Sequence, residues 1–211
     1  YRTSEGASNV LYNRGIQGLI LPYMPPGAAG RLTGVEWNRF TVVCCSFGWA
    51  RAPFHVVAPD IFEGTRRVWR EVVQRGYQRI GAAMFRHTPV ALDDFSRLGA
   101  CMVEQAELVP PAEHIPILQS DPLDKAAFLA WFRQHRPEVV IAFVNRVAEW
   151  LVEEGVRVPG DVAFACLNVW PGEELTGMSV QHPQVARSAV DFLISQMHEN
   201  QLGIPRVQHC L

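Results

Sequence analysis

Two asparagines stand where this chain would bring chemistry together. Asn145 follows the apolar run 139–144 (VVIAFV), and Asn168 follows the apolar run 162–167 (VAFACL). Runs of that kind read as strands buried on both faces, and open α/β sheets hold their ligands at the carboxyl ends of such strands. Side chains there converge on a ligand, and an amide brings both a donor and an acceptor. An asparagine after a strand also serves as a turn or helix cap. Asn145 directly precedes a helical pattern, so capping stands beside ligand contact as an alternative. Phe47, Trp49 and Trp170 lie just past strand ends as well. Aromatic rings in that position either stack on the apolar face of a sugar or pack the core.

The sequence carries no catalytic constellation. Its 7 histidines include no pair at metal-ligand spacing on a helix, and serine, histidine and aspartate occur without a GxSxG elbow. There is no P-loop, and no GxGxxG follows a strand. Asp93-Asp94 is an acidic pair that reads as solvated loop charge. The 5 cysteines, at 44, 45, 101, 166 and 210, form no CxxC motif and are odd in number, so free thiols in a reducing compartment are the expectation. Neither a cofactor, a metal site nor an enzyme is expected.

The elements that must position these residues alternate between strand and helix. Residues 18–21, 41–45, 55–58, 80–84, 115–118, 139–144 and 162–167 read as strands. In 41–45, Cys44 and Cys45 should face opposite sides of the sheet. A helix over 65–75 puts Val68 and Val72 on one face and stops at Gly76. The next has Asp121 as its cap, Pro122 at its first position, Asp124 in its first turn, and Phe128, Trp131 and Phe132 as its apolar stripe. Residues 145–154 group Val147, Trp150 and Leu151, and Gly155 supplies a C-cap. A last helix carries Val185, Ala189, Phe192 and Leu193. Regular βα alternation implies parallel sheets covered by helices on both faces. The Pro/Gly-rich segment 22–34 reads as a rim loop.

Composition sets the outer limits. With 211 residues, 48% of them hydrophobic and 19% charged, the chain can bury a sizeable core and is not disordered. A formal net charge of -2, with no dense arginine cluster, gives no drive toward nucleic acid. No run is long enough to span a membrane, and no signal peptide is visible, so the expected location is cytoplasmic.

Five segments resemble the lactose/galactose repressor (LacI/GalR) family of transcriptional regulators, in family order. Residues 76–80 (GYQRI) resemble its "GHrrI" segment, and residues 155–167 (GVRVPGDVAFACL) its "G…VPxDvavvGfD" signature. Residues 15–21 (GIQGLIL) resemble "gvDGiIl", residues 179–183 (SVQHP) the "tTv.qp" crossover, and residues 203–205 (GIP) a late "G.p". The resemblance covers almost the whole chain. It implies an α/β fold of the periplasmic binding protein type I kind, with two parallel-sheet α/β subdomains hinged around a cleft. Residues 1–58 with 182–208 would form the first subdomain, and 59–181 with 209–211 the second. The family's DNA-reading helix-turn-helix has no counterpart here, and neither do the first strand and helix of its effector domain.

The resemblance further implies a ligand-sensing and dimerisation domain that binds a small carbohydrate or related metabolite, such as a sugar or sugar acid. Such a domain works as a homodimer and reaches DNA only through the missing helix-turn-helix. A periplasmic solute-binding protein for sugar transport shares the fold and is the alternative. By motif, Arg97 matches the arginine of "R..G", with Ala100 and Cys101 replacing the glycine and aromatic. Asn145-Arg146 matches "ND", Asn168 takes the place of the aspartate of "GfD", and Gln181 takes a polar hinge position. An amide thus replaces an acceptor-only carboxylate at 168, and Arg146 replaces an acid. Arg97 and Arg146 facing the ligand together would favour an anion.

Overall fold

Strand 139–142 shows why these sequences fold as they do. Val139 and Ile141 pack on one face of a sheet, and Val140 and Ala142 on the other, all of them buried. This is the arrangement that a continuous apolar run serves. A computed structural model of the chain describes residues 4–22, 34–45, 53–87, 90–120, 123–170 and 172–211. The chain divides into two units, Tyr1–Pro59 with Gln181–Leu211, and Asp60–Val180.

In the first unit, strands β1 (Gly18–Leu21), β2 (Thr41–Cys45) and β3 (His55–Val57) form a parallel sheet in that order. Helix α1 (Ser4–Asn13) lies before β1, and α6 (His182–His198) closes the unit. Val42, Cys44 and Val56 pack with Phe40, Phe54 and Leu11 of α1. Val43 and Val57 pack with Ala189 and Leu193 of α6, and Cys45 joins them. The adjacent cysteines therefore do face opposite sides. Residues 209–211, expected with the second subdomain, run beside β3 instead. Val56 N–H donates to the His209 carbonyl at 2.9 Å, and Leu211 N–H to the Val56 carbonyl at 2.9 Å. The free edge of β3 offers backbone groups that these residues satisfy.

The second unit is a five-stranded parallel sheet in the order β5-β4-β6-β7-β8. Its strands are β4 (Ile80–Phe85), β5 (Leu118–Ser120), β6 (Val139–Ala142), β7 (Ala163–Val169) and β8 (Gly177–Ser179). Helices α2 (Ile61–Gln74) and α3 (Leu92–Leu108) cover one face, where Trp69, Val72 and Cys101 meet Ile80, Ala82, Met84, Ile141 and Leu167. Helices α4 (Lys125–His135) and α5 (Arg146–Glu153) cover the other, where Phe128, Trp131, Val147 and Leu151 meet Ala83, Phe85, Val140 and Cys166. Gly155 follows α5 with φ of 80°, the left-handed stop its type allows.

Several boundaries move. Helix α2 starts at Ile61, four residues before the expected 65, because the Asp60 side chain accepts from the Glu63 N–H at 2.9 Å. Asp124, not Asp121, caps α4, accepting from Ala126 and Ala127. Asp121 and Pro122 lie outside the described residues. The strand expected at 115–118 forms instead at Leu118–Ser120. Ile115 and Pro116 use their carbonyls to accept from the Gln105 and Trp131 side chains, at 2.8 Å each. Of the rim loop at 22–34, residues 23–33 fall outside the description.

Candidate ligand site at the carboxyl edge of the second sheet

Strand β4 has β5 on one side and β6 on the other. The chain reaches β5 through α3 on one face and β6 through α4 on the opposite face. The sheet therefore changes winding direction between β4 and β6, and such a switch point opens a crevice beyond the carboxyl ends of its strands. Ala83 pairs with Ala142, and Ala142 with Cys166. Along this edge lie His87 after β4, Phe143 to Asn145 after β6, and Asn168 within the last residues of β7.

Helix α3 starts over the same edge, and its first turn is tied down by Asp94. One Asp94 oxygen accepts from the backbone N–H of His87 and of Ala91, at 2.9 Å each. The other lies 2.8 Å from His87 Nδ1. Asp94 is buried and carries negative charge at a helix N-terminus, where the backbone dipole favours it. The pair Asp93-Asp94 is thus no solvated loop. One turn on, Arg97 is 5% exposed, and its guanidinium carbon lies 3.8 Å from the centroid of the Phe143 ring. A desolvated contact of this kind contributes roughly 2 kcal/mol. Arg97 also lies 3.8 Å from Asp93 and 3.7 Å from Asp94. The His87 ring stands edge-on to Phe143, with centroids 5.8 Å apart. Burial pushes the Asp93 carboxyl above its usual range, and Arg97 offsets part of that.

Among the other expected residues, Asn145 is half-buried at the start of α5. Its side chain makes no capping bond and lies 3.5 Å from Glu149. Asn168 is half-buried inside β7, which runs on to Val169 rather than ending at 167. Arg146 is exposed and paired with Glu149 at 2.5 Å and Glu153 at 3.0 Å. Glu149 and Glu153 thus already oppose the charge that the resemblance would bring, together with that of Arg97, to an anion. Trp170 is exposed, and its backbone N–H donates to the Glu173 carboxylate at 2.7 Å. Gln181 opens α6 with φ of 51°, exposed, in the first unit. Phe47 and Trp49 lie outside the described residues. The structure thus gathers Arg97, Phe143, His87, Asp93 and Asp94. Of these only Arg97 stood out in the sequence. An acid three residues after the residue before a helix is a capping pattern, and Asp94 after Ala91 fits it.

Among the described residues, no group of three or more histidine, cysteine, aspartate or glutamate side chains is arranged to hold a metal. No described helix is long and apolar enough to cross a membrane.

No protein-family profile matches the chain, and no curated protein does. Solved structures do. A LacI-family transcriptional regulator from Rhizobium etli is similar with a TM-score of 0.70 at 17% identity, over 99% of this chain and 79% of its own. A LacI-family regulator from Enterococcus faecium with bound ribose has a TM-score of 0.65 at 14% identity, over 98% and 80%. A cellobiose complex of the transcriptional regulator CelR has a TM-score of 0.67 at 15% identity, over 99% and 67%. The chain has the periplasmic-binding-protein-like α/β fold of LacI-family regulators.

Proposed function

We propose that this chain is the ligand-sensing and dimerisation domain of a LacI-type transcriptional regulator, non-enzymatic and cytoplasmic. In this reading it binds a small neutral carbohydrate at the carboxyl edge of the second sheet. The observation that carries the reading is Arg97, a buried guanidinium stacked on Phe143 at the switch point, with donors fixed in a fork. Asn145 at the start of α5 and Asn168 near the end of β7 add mixed amide groups. The ribose and cellobiose in two similar structures support a sugar.

A neutral ligand fits better than an acid. Asp93 and Asp94 already oppose the Arg97 charge, and Glu149 and Glu153 that of Arg146. A carboxylate arriving there would meet acidic groups without an uncommitted cation. In a regulator, ligand shifts the balance between two conformations by its differential affinity for them, and the attached DNA-reading segments of a homodimer respond.

Thermal denaturation against pentoses, hexoses, disaccharides and their uronic acids tests the ligand. A neutral sugar should raise the midpoint, because binding to the folded state alone must stabilise it. If no sugar does, the sensing reading fails. Sedimentation tests the assembly: a dimer fits the regulator, and a monomer favours a solute-binding protein.

A further inference from the structure

Helix α3 turns its apolar residues outward. Its buried face is Asp94, Arg97, Ala100, Cys101 and Glu104, and the opposite side carries Leu92, Phe95, Gly99, Met102, Val103 and Ala106. Leu92, Phe95, Met102 and Val103 are each between 42% and 58% exposed. Phe62 of α2 extends the patch, since its ring lies 3.8 Å from where a Cβ at position 99 would stand. No charged side chain falls on that stripe. Single exposed apolar residues are ordinary, whereas side chains grouped in one patch, roughly 300–600 Å² together, mark an interaction surface.

The spacing of the stripe says what covers it. Positions 92, 95, 99, 102 and 106 step by three and four, the seam that a second helix fills with its own side chains. The seam is also symmetric about Gly99. Leu92 and Ala106 lie seven residues either side of it, and Phe95 and Val103 four. An antiparallel copy of the same helix would thus set Leu92 against Ala106 and Phe95 against Val103, a larger side chain against a smaller one each time. Gly99, with no side chain, would let the two backbones approach at the crossing. We propose that the outer face of α3 is a self-association surface, on which α3 of a second copy packs antiparallel about a two-fold axis at Gly99. Doubled across that axis the patch buries about 600–1,200 Å², the low end for specific interfaces, so the association is reversible. It is independent of the ligand and of any other contact between copies.

Sedimentation equilibrium of the whole chain at rising concentration, with no ligand added, is the test. The wild-type mass should double across the series. Met102→Glu places a charge in the seam and should hold the mass at its starting value. Its urea midpoint should stay near that of the wild type, because the position is exposed. Gly99→Cys, combined with Cys210→Ser to remove the exposed native thiol, should oxidise to a linked dimer. Adding Met102→Glu should cut the linked fraction several-fold. A wild type that keeps one mass at every concentration assigns the stripe to a different partner and overturns the proposal. So does a Met102→Glu variant that still doubles. Binding of a sugar by a chain that never doubles leaves the sensing reading standing.

Discussion

The guanidinium of Arg97 rests 3.8 Å over the ring of Phe143, linking the helix after β4 to the carboxyl end of β6. The contact spans the point where the sheet reverses its winding. It holds a cation in place without spending its donors on Phe143.

Replacing Arg97 should therefore show twice. Arg97→Met leaves Asp94 buried without its cation and should lower folding stability by roughly 3 kcal/mol or more, read by urea denaturation. Arg97→Lys keeps the charge but loses the planar fork and stacking, and should recover stability only in part.

Glu104 joins α2 to α3. It is buried, and it accepts from Arg66 through a short bond and from Arg70 at 3.1 Å. Burial pushes its carboxyl up, but the two arginines outweigh that and hold it below the usual range. A depressed carboxyl contributes stability above its unfolded pKa of about 4.3, and the contribution is lost as pH falls through the folded value. Glu104→Gln should cost roughly 1.5–3 kcal/mol at neutral pH and flatten the acid limb of the stability curve.

His55 should make the first unit sensitive to mild acid. It is buried, its Nδ1 accepts from the His209 N–H at 3.1 Å, and the two rings stack 5.1 Å apart. Burial and the nearby His209 lower its pKa, against opposing effects of Gln196 and Glu199. The fold thus favours neutral His55. The contribution is complete above about pH 6.5 and declines as pH falls toward the lower folded value. Denaturation at pH 7.5 and pH 5.5 should show a loss that is smaller in His55→Gln.

The thiols should divide by burial. Burial raises Cys44, with Cys45 adding to it, and burial raises Cys101, each to about 12, whereas Cys210 is exposed. Only the thiolate reacts readily. A disulfide reagent at pH 8 should label Cys210 first, and Cys44 and Cys101 only after unfolding.

The strands buried on both faces were legible, because no polar residue interrupts their apolar runs. Helix α3 was not, and its residues say why. Its buried face is Asp94, Arg97, Ala100, Cys101 and Glu104, while Phe95 is 58% exposed and Met102 56%. The usual amphipathic pattern is inverted, so a search for an apolar stripe passes over it. The same inversion hid most of the candidate site, since Asp93 and Asp94 look like surface charge until the helix is known. Strand β8 escaped for another reason: it has three residues at a sheet edge, none of them buried. Arg97 was legible only through its motif, and His87 through nothing in the sequence alone.

Calorimetric titration of the chain with neutral sugars and their matched uronic acids tests the central claim most directly. A saturable heat with one site per chain for a neutral sugar, and a much weaker one for its acid, is the result expected. Tight binding of the acids with none of the neutral sugars, or no heat from any sugar while the chain stays folded, would contradict it.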